Sequence, residues 1–344
     1  MQAIRIEGPN QLRLADVPEP VPGPHDVLVE VSHVGICHTD IEILRGTHGA
    51  YRSGWASYPI VPGHEWSGYV REVGRDVGRF APGQLVTGET GIGCGRCKVC
   101  LSGAYNCCPD VSETGIINRD GAMRRFHVQH EAFVHGLEGV AADEGAVIEP
   151  ASVGLYACKR VHVQPGDRVV VCGGGSIGQL CAQAARAHGA RRVMLTSRSP
   201  HKLELARSMG ADRVANASAD DLLQVALDVT DGELFDVAIE AAGTRDALDD
   251  AIRLCGPRGR VAVVGYAAGE PYNHPLAKLI GVELSIIGVR GSPHVWPQTI
   301  DFVQRGKLSL GPIITHRYSL DQFEQAFAVA MQGGPDVLKV LLEL

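Results

Sequence analysis

The sequence predicts a two-domain α/β protein: a mainly β segment, a doubly wound parallel sheet, and a closing segment that returns to the first domain. Three observations carry that expectation. The 344 residues exceed the roughly 250 to 300 that one hydrophobic core ordinarily organises. Up to about Phe133, short apolar runs such as VLVEVSHVGI (27–36) and SGYVREVG (67–74) are broken by glycine and proline, the texture of short strands and turns. After Pro150, strand-length apolar runs alternate with helix-length segments, which implies parallel strands joined by crossover helices. The expected divisions are 1–150, 151–285 and 286–344.

In the second domain DRVVVCGGGSIGQLCAQAARAHGA (167–190) reads as a strand, a glycine turn and a helix closed by Gly189. RRVMLTS (191–197) follows as a second strand. HKLELARSMGA, FDVAIEAAG, DALDDAIRLC and GRVAVVGYA continue the alternation, and VELSIIGVRG (282–291) reads as a further strand. The last fifty residues mix helix signals with short strands, and no internal repeat or low-complexity segment interrupts the chain.

With 45% hydrophobic and 21% charged residues the composition is that of a soluble globular protein, and a net charge of −7 argues against nucleic acid or an anionic membrane as principal partner. The first residues carry Arg5, Glu7, Arg13 and Asp16 where a secretory signal needs an apolar stretch. No run of about 18 apolar residues occurs. A cytoplasmic location is therefore expected, where the ten cysteines meet reducing conditions and clustered thiols bind metal or do chemistry more often than they pair.

Gly173, Gly175 and Gly178 form G-x-G-x-x-G, with Ser176 and Ile177 between the last two, where strand becomes helix. The first glycine permits the tight turn, the second lets backbone amides approach a pyrophosphate, and the third lets helix and strand pack closely. The helix N-terminus then offers unpaired amides to an anion. An NAD-preferring fold of this kind places a carboxylate at the end of the next strand. Here that strand ends in Thr196, Ser197 and Arg198, a hydroxyl and a guanidinium suited to a 2′-phosphate. NADP is therefore favoured over NAD, with Lys202 and His201 as further phosphate neighbours.

CGRCKVCLSGAYNCC spaces Cys94, Cys97 and Cys100 as C-x2-C-x2-C, with Cys108 seven residues on and Cys107 spare. Four thiolates there close a tetrahedral zinc site with no open position. An iron–sulfur cluster is the competing reading. Upstream, GICHTD supplies Cys37 and PGHEWSG supplies His64 beside Glu65, a mixed set that can hold zinc and leave a position for water or substrate.

GICHTD, VPGHEWSG, the four-cysteine lobe at 91–110, IEPASVGLYA, PGDRVVVCGGGSIG and IEAAGTRDALDDAIRLCGPRGRVAVVG occur in this order nearly end to end. So arranged, the chain resembles the zinc-containing medium-chain alcohol and polyol dehydrogenases. The resemblance implies a GroES-like catalytic domain built from both chain ends and a Rossmann cofactor domain between them. It implies Cys37 and His64 as catalytic zinc ligands, Glu65 as a ligand or a close outer carboxylate, and Glu149 as a carboxylate near or on the metal. The Glu149 position, a cysteine in alcohol-dehydrogenase-like members, points to the polyol type. Asp40 is expected to orient His64. Cys94, Cys97, Cys100 and Cys108 match the family's structural zinc. Thr39 stands where a hydroxyl starts the proton relay; three residues on many members have histidine, this chain has Glu42, and His48 is the candidate substitute.

The expected reaction is reversible hydride transfer between a secondary hydroxyl of a polyol, sugar or (amino)cyclitol and NADP, the metal polarising the oxygen. A simple secondary-alcohol dehydrogenase and an NAD-dependent polyol dehydrogenase are the alternatives within the class. A zinc hydrolase has no use for the dinucleotide turn, and a non-catalytic NADP-binding protein has no need of the metal ligands. Tyr51, Trp55, Glu113 and Trp296 are candidates for a pocket lining or, equally, for structural packing, and VELSIIGVRG resembles the family's strand that pairs across subunits, so a homodimer or homotetramer is expected.

Overall fold

The computed structural model describes residues 1–265 and 276–344. Two compact units emerge: Met1–Glu149 with Gly291–Gln304 and Ile314–Leu344, and Pro150–Arg290 with Arg305–Ile313.

The first unit is organised around the strand Asp26–Ile36, whose Val27, Val29 and Val31 alternate inward before a register shift turns Val34 and Ile36 into the core. It pairs antiparallel with Glu65–Val73, with Phe126–His130 and with the C-terminal strand Lys339–Glu343. The ladder sets Gly35 opposite Glu65 and Ile36 opposite Val340. One end of the sheet thus gathers the residue after Ile36, the start of Glu65–Val73 and, from the far end of the sequence, the start of Lys339–Glu343. Trp66, fully buried behind this end, is among the largest side chains of the core.

A smaller sheet forms where Gly91–Ile92 pairs antiparallel with Ser112–Thr114, Gly91 opposite Glu113 and Ile92 opposite Ser112. It pinches the neck of the intervening loop, which is the cysteine lobe.

The second unit is a six-stranded sheet in the spatial order Arg213–Asn216, Arg192–Ser197, Arg168–Cys172, Phe235–Glu240, Cys255–Val263, Ser285–Gly288. All its pairings are parallel. The first strand in sequence lies in the middle and the chain winds outward on either side, the arrangement that binds dinucleotides at the switch in direction. Every residue of Arg168–Cys172 is buried, as a strand covered on both faces requires. The end of the predicted strand GRVAVVGYA, Tyr266 and Ala267, lies outside the described residues. Arg305–Ile313 groups with this unit, unlike the residues on either side of it. Gln183, on the helix Ser176–Ala187, explains why: its Nε2 donates to Ser309 O at 3.2 Å and its Oε1 accepts from Ser309 N at 2.7 Å. Among the described residues no helix is long and apolar enough to cross a membrane.

Candidate metal and dinucleotide sites

Cys37 leaves the tip of Asp26–Ile36 and caps the helix His38–Arg45. A capping box fixes it: Asp40 Oδ2 accepts from Cys37 N at 2.8 Å. Asp40 Oδ1 accepts from Gly63 N at 3.2 Å, so one buried carboxylate braces the backbone that carries Cys37 and the turn that carries His64. The same oxygen lies 3.7 Å from His64 Nδ1, too far for a hydrogen bond. Asp40 therefore positions His64 chiefly through the Gly63 backbone.

Donor atoms of Cys37, His64 and Glu65 all lie within 4.8 Å of one another. His64 and Glu65 are buried and Cys37 half-buried, so the cluster keeps an approach on the thiol side. His64 Nδ1 is buried without a hydrogen-bond partner. Burial by itself depresses the His64 pKa, yet the negative fields of Asp40, then Cys37, then Glu149 together hold it well above the ordinary histidine range. A divalent cation answers that field better than a proton does, and thiolate, imidazole and carboxylate are a zinc donor set. The residues present fit the ion.

Glu149, in the first turn of the helix Ile148–Arg160, stands outside this close cluster, and its Oε1 accepts from Thr90 Oγ1 at 3.1 Å. Burial pushes its pKa up to about 7, with His64 opposing and Glu65 reinforcing the rise. Thr39 Oγ1 lies 3.7 Å from Cys37 Sγ. His48 uses Nδ1 to accept from Ala50 N at 3.4 Å, capping the short helix Gly49–Arg52.

Sequence reasoning missed Lys339. Its Nζ lies 2.6 Å from Glu65 Oε1 and 2.5 Å from Oε2, and it is 4% exposed. Burial by itself lowers the Lys339 pKa, but the charges of Glu65 and Cys37 override it and raise the value. In sequence it is an unremarkable lysine opening an apolar strand; only the pairing of that strand with Asp26–Ile36 reveals it.

In the lobe Cys94, Cys97, Cys100 and Cys108 converge within 4.8 Å, while Cys107 is exposed and outside the cluster. The sulfur–sulfur distances of 4.0 Å for Cys94 and Cys100 and 3.8 Å for Cys97 and Cys108 match the ~3.8 Å edge of a tetrahedron with zinc–sulfur bonds of about 2.3 Å. Thiolates on separate irons of a cluster stand farther apart, so the spacing suits a single ion. Cys100 N donates to Cys97 Sγ at 3.4 Å and Asp110 N to Cys108 Sγ at 3.3 Å, aiming the sulfurs inward. Backbone N–H groups of Arg96 and then Cys97 lower the Cys94 pKa to about 6, while burial pushes the Cys100 thiol up to about 12.

The glycine turn is shaped for a ligand. Gly173 has φ +133°, and a Cβ on Gly178 would overlap Gly173 O, whereas a Cβ on Gly175 would meet nothing within 4 Å. The first and last glycines are required by the turn and its packing; the middle one faces the open space where a pyrophosphate can approach. Gly175 caps the helix Ser176–Ala187 with no side chain over its amides. Ser197 ends its strand against this turn, close to Gly174, and its Oγ accepts from Ser199 N at 3.2 Å. Arg198 is exposed and Lys202 half-buried beyond it. Gln179, another residue sequence reading missed, donates from Nε2 to Lys202 O at 2.8 Å and Gly174 O at 3.2 Å, tying the phosphate candidates to the turn.

Of the pocket candidates, Trp296 is 1% exposed, stacked on His135 and bonded through Nε1 to Ser292 Oγ at 3.1 Å, a packing residue. Tyr51 donates to Ile116 O at 3.0 Å and packs on Tyr58. Trp55 is 40% exposed and Glu113 half-buried in the small sheet of the lobe.

The chain is similar to known proteins along nearly its whole length. The family profile "Alcohol dehydrogenase GroES-like domain" matches residues 23–139, and "Zinc-binding dehydrogenase" matches 176–305. Sorbitol dehydrogenase of Bacillus subtilis (strain 168) is 32% identical over 345 residues, covering 99% of this chain and 97% of its own. L-threonine 3-dehydrogenase of Rhizobium etli (strain CIAT 652) is 36% identical over 328 residues, 94% of this chain and 92% of its own. A Sinorhizobium meliloti 1021 protein solved bound to NADP superposes with a TM-score of 0.92 at 31% identity, over 100% of this chain and 99% of that one.

Proposed function

The chain belongs to the zinc-containing medium-chain alcohol and polyol dehydrogenases and is an oxidoreductase, and on that premise we propose that it interconverts a secondary hydroxyl of a polyol, sugar or (amino)cyclitol and the corresponding ketone, with NADP as preferred hydride carrier. The observation that carries this reading is the convergence of Cys37, His64 and Glu65 within 4.8 Å. Zinc bound there supplies Lewis acidity that lowers the proton affinity of a hydroxyl near it. Cys37 and His64 hold the ion, Glu65 or Glu149 completes the set, and Asp40 fixes the backbone of both first ligands. Thr39 would take the hydroxyl proton, and a nicotinamide held at the glycine turn would serve as hydride acceptor, the balance being alcohol and NADP⁺ to ketone, NADPH and one proton. A second ion on Cys94, Cys97, Cys100 and Cys108 is structural.

NADP is favoured because the strand Arg192–Ser197 ends without a carboxylate and is followed by Arg198 and Lys202. Gly173, Gly175, Ser176, Ile177 and Gly178 supply the pyrophosphate cradle, and Ser197 and Arg198 the 2′-phosphate contacts. The edge strand Ser285–Gly288, with Ile286 39% exposed, supports a homodimer or homotetramer through that edge. Cofactor kinetics test the assignment. R198A is expected to lower kcat/KM for NADP by about 10- to 100-fold, the loss of one charge-assisted pair, and to leave NAD turnover unchanged. A wild-type preference for NAD overturns it.

A further inference from the structure

Glu65 faces two claimants. One of its oxygens belongs to the close cluster with Cys37 and His64, yet both oxygens are also within 2.6 Å of Lys339 Nζ. The lysine is no chance surface contact. It opens the strand Lys339–Glu343, whose Val340 lies opposite Ile36, and its Nζ also lies 3.5 Å from Ile36 O, the residue before Cys37. On the other side the Glu65 carboxylate rests on Gly35, where any Cβ would overlap Oε2. Glycine below, ammonium beside and ligand pair in front leave the carboxylate one narrow range of positions. Its charge matters as much as its place. A Cys37 thiolate with Glu65 and Glu149 brings three negative charges to a dication, and Lys339 cancels the third.

We propose that Lys339 is a positioning residue that keeps Glu65 displaceable: it competes with the metal for the carboxylate, so that a metal position opens to water or substrate while Glu65 keeps a counter-charge. This rests on the reading of Cys37 and His64 as metal ligands. Without the ammonium, Glu65 has one cation left to answer, and it becomes a permanent additional ligand that crowds the position substrate needs. An arginine reaches the same carboxylate with a planar fork and keeps the competition.

Cobalt substitution of the full-length protein tests this without turnover. The visible absorption of the cobalt protein, taken as the difference from C37S so that the four-cysteine site cancels, reports coordination at the Cys37 site. K339M is expected to lose visible intensity as four-coordinate cobalt becomes five-coordinate, and to release the metal to a chelator about tenfold more slowly. K339R should keep the wild-type spectrum, and K339M/E65Q should regain it. E65Q alone, which keeps the lysine and serves if K339M does not fold, is expected to leave the cobalt spectrum as in wild type, because the carboxylate is not a fixed ligand. With substrate, K339M should raise KM more than it lowers kcat. A folded K339M with wild-type spectrum and chelator rate overturns the proposal, as does an E65Q spectrum altered from wild type. Absence in wild type of any cobalt signal that C37S removes would instead show that the metal-site reading beneath it is wrong.

Discussion

Replacing Cys37 with serine is expected to lower kcat/KM by at least about a thousandfold while the protein stays folded. The Lewis acid is worth several kcal/mol to the transition state, and each ~1.4 kcal/mol is tenfold in rate. Serine nearly matches cysteine in size, and Cys37 is a half-buried helix cap rather than a core residue, so packing changes little. The test is cleaner here than at His64, which is 3% exposed and whose truncation would leave a cavity beside a buried Asp40. Steady-state NADPH formation, metal content and a thermal melt measured together decide the matter. Undiminished turnover with an unchanged melt would remove Cys37 from the chemistry.

The second large effect is on the lobe. Its helix Lys98–Leu101 buries none of its four residues, and Leu101 is 74% exposed. Apolar burial of ~1.5 to 3 kcal/mol per side chain cannot hold such a loop, whereas structural zinc contributes on the order of 10 kcal/mol. C97S is therefore expected to unfold the lobe locally, and trypsin should then cut after Arg96 or Lys98, both exposed, much faster than in the intact protein. The loss should also reach the Glu149 region. Tyr105, within the lobe, donates to Glu89 Oε2 at 2.5 Å, and the next residue, Thr90, holds Glu149. Protease resistance equal to wild type in C97S would show that the thiolates do not hold the lobe.

Local sequence carried much of this. The cysteine lobe is legible because its four donors lie within fifteen residues, and His64 and Glu65 because they are adjacent behind a Pro-Gly turn. The glycine turn is legible because its steric demands fall on successive residues of one strand-to-helix junction. Lys339 is not, since it meets Glu65 across 274 residues through a strand pairing that no local pattern encodes. Gln179 and Gln183 are hidden for another reason: each sits on a helix whose polar residues read as solvent-facing, yet both are buried and spend their amides on distant backbone. Trp296, which the sequence leaves open between pocket wall and packing, is buried against His135 as packing.

The central claim, zinc-dependent hydride transfer from a polyol-type hydroxyl to NADP, is tested most directly by nicotinamide absorbance with a panel of polyols, cyclitols and secondary alcohols, on protein stripped of metal and then titrated with zinc. NADPH formation should be absent in the stripped protein, rise with zinc restored, and be faster with a polyol or cyclitol than with a simple secondary alcohol. Turnover that ignores the metal, or no turnover of any polyol or cyclitol with zinc restored, would contradict it.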